Sequence, residues 1–100
     1  MALRLVIAPR AERDLDEIFA FVAMDNPAAA TKILKQIERK AFHLLERPFM
    51  GPPVYMPKWP GLRKTTSAPY VVFYRPSDAT VEIVLVLHAS RDLDTLLAAD

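Results

Sequence analysis

The feature that most constrains this chain is a proline-rich segment near its middle. Residues 48–61 contain five prolines and two glycines. Proline lacks a backbone N–H, so neither a helix interior nor a central strand can pass through this segment. We therefore predict a long loop that separates two differently patterned halves of the chain. Its aromatic residues Phe49, Tyr55 and Trp59 fit two interpretations, a binding loop or a loop packed by its own side chains.

The residues before this loop predict one short strand and two amphipathic helices. Apolar residues alternate over residues 3–7 and the run ends at Pro9, as in a strand. The first helix is expected from about residue 11 to residue 24, and Asn26 and Pro27 suit the cap and first turn of the second. The apolar positions that recur at helical spacing are Leu15, Ile18, Phe19, Val22, Ala30, Ile33, Leu34, Ile37, Ala41, Leu44 and Leu45. Two such helices joined by a tight turn form an antiparallel hairpin.

The residues after the loop predict three strands, at about 62–67, 70–74 and 80–88, rich in β-branched and aromatic side chains. In the last strand, strict alternation would place two sets of apolar side chains on opposite faces: Val81, Ile83, Leu85 and Leu87 on one, Val84 and Val86 on the other. Apolar residues on both faces indicate a central strand, and we expect the first strand beside it.

The resulting element order is β-α-α-β-β-β, which predicts an α+β fold. We expect one domain over residues 1–100, with the antiparallel helical hairpin packed on a small twisted antiparallel sheet. The residues after the last strand add an optional helical turn around Leu93, Leu96 and Leu97.

Composition excludes several kinds of site. There is no cysteine, which rules out disulfides, zinc–thiolate centres and thiol catalysis. Neither His43 nor His88 is spaced with a second metal ligand, so we expect no metal and no cofactor. No uncharged apolar run approaches the roughly 18 residues needed to cross a membrane, and the N-terminus lacks a signal-peptide pattern. We therefore expect a cytoplasmic protein without membrane contact.

Charge is unevenly distributed although the formal net charge is only +1. Residues 47–77 contain no acidic residue but five basic ones, Arg47, Lys58, Arg63, Lys64 and Arg75. A basic stretch can meet phosphates or an acidic partner, and it is also common on a merely solvated surface. Because the chain has neither a helix-turn-helix pattern nor a dense basic arm, we expect no direct sequence-specific DNA contact.

Four ordered stretches of the second half carry a family resemblance. They are residues 60–63 (Pro-Gly-Leu-Arg), residues 69–75 (Pro-Tyr-Val-Val-Phe-Tyr-Arg), residues 81–83 (Val-Glu-Ile) and residues 86–92 (Val-Leu-His-Ala-Ser-Arg-Asp). The first half agrees in its order of strand, Pro9 and two helices. The chain therefore resembles, over essentially its whole length, the ParE toxins of the ParE/RelE toxin–antitoxin superfamily, also called plasmid-stabilisation proteins.

The resemblance implies a toxin held inactive in a hetero-oligomer with a cognate ParD-like antitoxin, which wraps along the helical hairpin and sheet. It further implies DNA gyrase as the target, bound rather than chemically altered. The RelE branch of the same superfamily cuts messenger RNA on the ribosome, and a non-toxic relative kept as an antitoxin-binding partner is a third alternative. The fold is common to these branches, so residues must distinguish them.

The C-terminal residues favour a binding toxin over a ribonuclease. Metal-free RNA cleavage needs groups that transfer protons and cations that hold the phosphorane charge. If the chain were a ribonuclease, Arg63, His88 and Arg91 would be its catalytic residues. The tail after Arg91 has three aspartates and no tyrosine, histidine or lysine, which disfavours a phosphate site. We therefore assign no catalytic residue.

Two sets of contact residues are expected instead. Trp59, Arg63 and Arg91 are candidates for target binding because arginine and tryptophan suit protein interfaces. For both arginines a structural ion pair, with Glu82 and Asp92 as the partners, is at least an equal alternative, and Trp59 equally suits packing within the loop. Phe21, Phe42 and Tyr74 are candidates for antitoxin binding. Phe21 and Phe42 lie off the apolar stripes of their helices, and we expect Tyr74 to place its ring in the sheet face and its hydroxyl at the rim.

Overall fold

The computed structural model describes residues 3–91, and its elements follow the predicted order. The expected turn around residues 93–97 lies outside this range. The elements are β1 (Arg4–Ile7), α1 (Pro9–Ala23), α2 (Pro27–Glu46), β2 (Arg63–Ser67), β3 (Tyr70–Pro76) and β4 (Thr80–His88).

The helix boundaries follow from local chemistry. Pro9 occupies the first turn of α1, where its missing N–H costs no hydrogen bond. The side chain of Asn26 caps α2 by accepting a hydrogen bond from the backbone N–H of Ala29 at 3.1 Å. Helix α2 ends at Glu46, before Pro48. The predicted cap at Asn26 and the end of the second helix before the proline-rich segment are therefore confirmed.

The four strands form one sheet in the order β1-β4-β3-β2, with β4 and β3 in the centre. Strands β2, β3 and β4 are antiparallel neighbours, whereas β1 runs parallel to β4. The predicted α+β fold and the position of β1 are confirmed, but the sheet is mixed rather than wholly antiparallel. A parallel pairing needs a long crossover connection, and the helical hairpin lies within the connection between β1 and the rest of the sheet.

A β-bulge in β4 changes which of its residues share a face. Phe73 pairs with Leu85, and Tyr74 pairs with Ile83, so Val84 has no partner in β3. As a result Val84 and Leu85 both pack in the cluster on the face away from the helices. The predicted alternation was therefore wrong beyond the bulge.

Apolar side chains are buried on both faces of the sheet. The face covered by the helices has a core made of Ala11, Ile37, Ala41, Leu44, Tyr70, Val72, Tyr74, Val81, Ile83 and Val86. The opposite face, called here the back face, has a smaller cluster of Leu62, Phe73, Val84 and Leu85. Val54, Met56 and Trp59 of the proline-rich loop pack against the back-face cluster. The loop thus shields an apolar surface of the sheet that the helices leave uncovered.

Candidate functional site

One end of the sheet, called here the loop-bound end, is held together by hydrogen bonds to the proline-rich loop. The Tyr74 hydroxyl accepts a hydrogen bond from the backbone N–H of Gly51 at 3.0 Å. The Arg63 guanidinium donates to the carbonyl oxygens of Phe49 and Gly51, at 3.2 and 2.6 Å. It also lies 4.9 Å from the centre of the Phe49 ring, as in a cation–π contact. At this end the arginine and the tyrosine position the loop.

The structure corrects the assignment of Tyr74 to an antitoxin interface. Its side chain is fully buried, and its hydroxyl lies under the loop rather than at an exposed rim. Tyr74 lies directly opposite Arg63 in the sheet, so both side chains share the face that the helices cover. A buried phenol with a satisfied hydroxyl stabilises a fold and offers no surface to a partner.

The other end of the sheet, called here the open end, contains a groove between α1 and β4. Strand β1 stops opposite Ile83, so the last residues of β4 have no neighbouring strand on that side within residues 3–91. The groove has a volume of about 570 Å³. Side chains from α1, β3, β4 and the turn after β4 line it: Arg10, Asp14, Glu17, Ile18, Phe21, Tyr70, Val86, Leu87, His88, Ser90 and Arg91.

Asp14 forms the floor of this groove by completing the edge of β4. One carboxylate oxygen accepts the backbone N–H of Val86 at 3.0 Å, and the other accepts Nε of Arg10 at 3.1 Å. The side chain thus satisfies a strand N–H that β1 is too short to reach. Sequence analysis missed this role. The available signal was a carboxylate that falls between Ala11 and Ile18 on the otherwise apolar, sheet-facing side of α1.

His88 and Arg91 lie together at the rim of the groove. Both residues are exposed, and the Arg91 backbone N–H donates to the His88 carbonyl at 2.9 Å. The His88 Nδ1 atom accepts the backbone N–H of Ser90 at 3.1 Å and lies 2.8 Å from the Ser90 hydroxyl. The imidazole also meets the Tyr70 ring edge-on at 5.5 Å. These contacts orient the turn that carries Arg91.

The structure does not bring Arg63 to His88 and Arg91. Arg63 pairs with Tyr74 at one end of β3, whereas His88 pairs with Tyr70 near the other. Four residues of strand separate these positions, or about 13 Å along β3 at 3.3 Å per residue. A single phosphate could not contact all three side chains in this arrangement.

The three candidate target contacts also lie on different surfaces. Trp59 packs against the back-face cluster with Lys58 6.0 Å from its ring, and Arg63 is on the helix-covered face. Arg91 alone of the three lines the groove. The alternative in which Arg63 pairs with Glu82 is not realised, because Glu82 instead binds Arg75 at 2.7 Å. The alternative partner Asp92 lies outside the described residues.

Phe21 and Phe42 are exposed, as their off-stripe positions predicted, with relative accessibilities of 68% and 52%. They are not adjacent. Phe21 lines the groove near the hairpin turn, and Phe42 lies near the far end of α2. Counted from the turn, the two lie roughly 18 Å apart along the hairpin at 1.5 Å per residue. A partner that contacts both must therefore span this distance along the hairpin.

Two other kinds of feature are absent from residues 3–91. This part of the chain contains no group of three or more histidine or acidic side chains that could hold a metal ion. Neither of its two helices has the length and hydropathy required to cross a bilayer.

Solved structures share this architecture with the present chain. A chain of the chromosomal ParDE toxin–antitoxin system from P. aeruginosa superimposes with a TM-score of 0.72 at 23% identity, covering 87% of this chain and 96% of that one. A chain of the RelBE2 toxin–antitoxin complex from Mycobacterium tuberculosis gives 0.62 at 23% identity, covering 88% and 99%. A helical hairpin on a four-stranded mixed sheet is thus a fold found in toxin–antitoxin complexes.

Sequence comparison narrows the class to one family. The model of the ParE toxin of type II toxin–antitoxin systems, parDE, matches residues 5–93. A Sinorhizobium fredii protein named "Putative toxin Y4kP" is 35% identical over 94 residues, which is 88% of this chain and 90% of that protein. The chain belongs to the ParE toxin family of type II toxin–antitoxin systems.

Proposed function

We propose that this toxin inhibits DNA gyrase by binding it through the open end, and that a ParD-like antitoxin prevents this by covering the groove. The toxin acts in the cytoplasm and performs no reaction of its own. Arg91 is the central target contact, because its side chain is exposed at the rim of the groove.

The observation that carries this proposal is the separation of the basic residues. Arg63 is hydrogen-bonded to two loop carbonyls at the loop-bound end, and the His88 Nδ1 atom is engaged by Ser90 at the open end. RNA cleavage requires proton-transfer groups and phosphate-binding cations around one phosphate. Because these groups are far apart in this chain, we favour inhibition by binding to the target's surface rather than by RNA cleavage.

The groove has the composition of a peptide-binding site. It combines the exposed ring of Phe21 and the side chains of Ile18 and Leu87 with the charged groups of Arg10 and Arg91. An aromatic anchor surrounded by polar groups is the usual composition of a protein interface. A disordered antitoxin segment that orders on binding can extend from this groove along the hairpin.

The test is a pair of assays on the purified full chain. We expect inhibition of gyrase supercoiling with accumulation of cleaved DNA, and intact mRNA in a translating extract. Cleaved mRNA with unaffected gyrase would overturn the proposal in favour of a ribonuclease. Inactivity in both assays would overturn it in favour of a non-toxic antitoxin-binding relative.

A further inference from the structure

The exposed side of α2 carries a row of positive charges at some distance from the groove. Lys32, Lys35, Arg39 and Lys40, called here the basic stripe, fall within an arc of about 140° at 100° per residue. Three of them are exposed and Lys40 is half-buried. Within residues 3–91 none of the four forms a side-chain ion pair or hydrogen bond.

The stripe continues into a polar cleft between α2 and the turn that joins β2 to β3. The cleft has a volume of about 420 Å³, and its lining includes Gln36, Arg39, Lys40, His43, Thr66 and Ser67. It contains no acidic side chain and no large apolar one. The acidic residues of α2 are Glu38, which lies about 60° around the helix from Lys35 and about 100° from Arg39, and Glu46, which lies on the side of Arg39 two turns further along. Neither lines the cleft.

This chemistry matches a phosphate backbone better than an acidic protein. Phosphate oxygens are contacted mainly by arginine, lysine and short hydroxyl or amide side chains, which are the residue types of the stripe and the cleft. A protein interface instead needs an apolar or aromatic centre, and the cleft lacks one. Phe42, an exposed ring of α2, lies about 20° around the helix from Lys35 but does not line the cleft. Single-stranded nucleic acid is disfavoured, because it is held by successive aromatic rings that stack on its bases, and the stripe has this single ring at its edge.

We infer that the basic stripe and its cleft bind the phosphodiester backbone of duplex DNA without reading its sequence. The choice of duplex DNA over duplex RNA rests on the proposed gyrase function, since gyrase presents duplex DNA to any protein bound to it. The contact holds the toxin on the nucleic acid and leaves the groove free for the protein target.

The experiment measures fluorescence anisotropy of a short labelled DNA duplex with the purified full chain, at salt concentrations from about 50 to about 200 mM. The test variant is Arg39→Gln with Lys40→Gln. The control is Arg4→Gln with Arg13→Gln, which removes the same charge from exposed positions on β1 and α1. Thermal unfolding verifies that both variants fold.

For four phosphate contacts, the logarithm of the association constant should fall with the logarithm of the salt concentration with a slope of about −3.6. The stripe variant, which loses two of these contacts, should show a slope of about −1.8. At low salt the stripe variant should bind roughly tenfold more weakly, while the control retains nearly wild-type affinity. No detectable binding by the wild type, equal binding by all three proteins, or equal loss in both variants would overturn the inference.

Two competitors test the identity of the ligand. We expect the same binding to DNA duplexes of unrelated sequence and weak competition by polyglutamate. Much tighter binding to an RNA duplex of the same sequence would overturn the assignment to DNA. Efficient competition by polyglutamate would overturn it in favour of an acidic protein. Because no gyrase is present, failure here leaves the proposed target untouched, and failure of the gyrase assay leaves this result untouched.

Discussion

The two ends of the sheet use similar side chains for different purposes. At the loop-bound end, Arg63 and Tyr74 form hydrogen bonds with the backbone of Gly51. At the open end, Arg91 and His88 are exposed beside a groove that β1 is too short to fill. An arginine or aromatic residue near a strand end is therefore structural where a loop covers it and available to a partner where the edge is left uncovered.

The largest effect is expected from Gly51→Ala at the loop-bound end. A Cβ atom at this position would overlap the Lys64 carbonyl oxygen and press against the Tyr74 hydroxyl at 2.8 Å. Relieving this overlap requires the loop backbone to move away from the sheet, at a cost of about 3 kcal/mol in unfolding free energy. Chemical denaturation measures the change. The control is alanine at Gly61, where an added Cβ lies no closer than 3.7 Å to other atoms but the backbone φ of 82° adds a smaller strain.

A comparable result for the two glycines would show that the loop-bound end tolerates rearrangement. The hydrogen bonds of Arg63 and Tyr74 would then not hold the loop in place.

The next largest loss of stability is expected from Asp14→Ala, at the base of the groove at the open end. Asp14→Ala leaves the buried N–H of Val86 without its acceptor and removes the partner of Arg10. We expect a loss of about 2 kcal/mol in unfolding free energy. Asp16→Ala, on the exposed side of the same helix, is the matched control and should change stability by less than about 0.5 kcal/mol. Equal losses in the two variants would contradict the role of Asp14 at the edge of β4.

A loss of similar size is expected in the free energy of antitoxin binding when an exposed ring of the hairpin is removed. Phe21→Ala removes the exposed ring in the groove and should weaken antitoxin binding by about 2 kcal/mol, measured by isothermal titration calorimetry. Phe42→Ala tests whether the partner extends along the hairpin. Phe49→Ala, an equally exposed ring at the loop-bound end, is the control and should retain wild-type affinity. Unchanged affinity in both Phe21→Ala and Phe42→Ala would refute the proposed interface.

The smallest effects on stability distinguish the two arginines. Arg63→Ala loses two hydrogen bonds and the contact with Phe49, and should reduce unfolding free energy by about 1 kcal/mol. Arg91→Ala removes an exposed side chain and should change it by less than about 0.5 kcal/mol. Thermal denaturation of the two variants side by side measures the difference. The reverse order would contradict the division between a structural and an open end.

The sequence predicted the structure correctly where a residue pattern repeats, and it failed where a single contact or a single bulged residue determines the local structure. The helices, the cap at Asn26 and the central position of β4 follow from periodicity and local chemistry, and all appear in the structure, although Phe19 of the predicted apolar stripe is exposed. The faces of β4 could not be predicted beyond Val84, because one bulged residue reverses the alternation.

The candidate site was less predictable for the same reason. Nothing local in the sequence distinguishes Arg63 from Arg91, because the difference lies in whether a loop from elsewhere in the chain reaches the side chain. Tyr74 was expected at a rim but is buried, because Gly51 brings the loop backbone over its hydroxyl. Asp14 was missed because its partner, Val86, lies 72 residues away in the sequence.

The most direct test of the two-ended account is gyrase inhibition by Arg91→Ala and Arg63→Ala at equal concentrations of folded protein. The account predicts that Arg91→Ala weakens inhibition by at least tenfold while its unfolding free energy stays unchanged. It also predicts that Arg63→Ala inhibits like the wild type once its folded fraction is taken into account. Full inhibition by Arg91→Ala, with loss in folded Arg63→Ala, would contradict the claim that the open end is the functional surface.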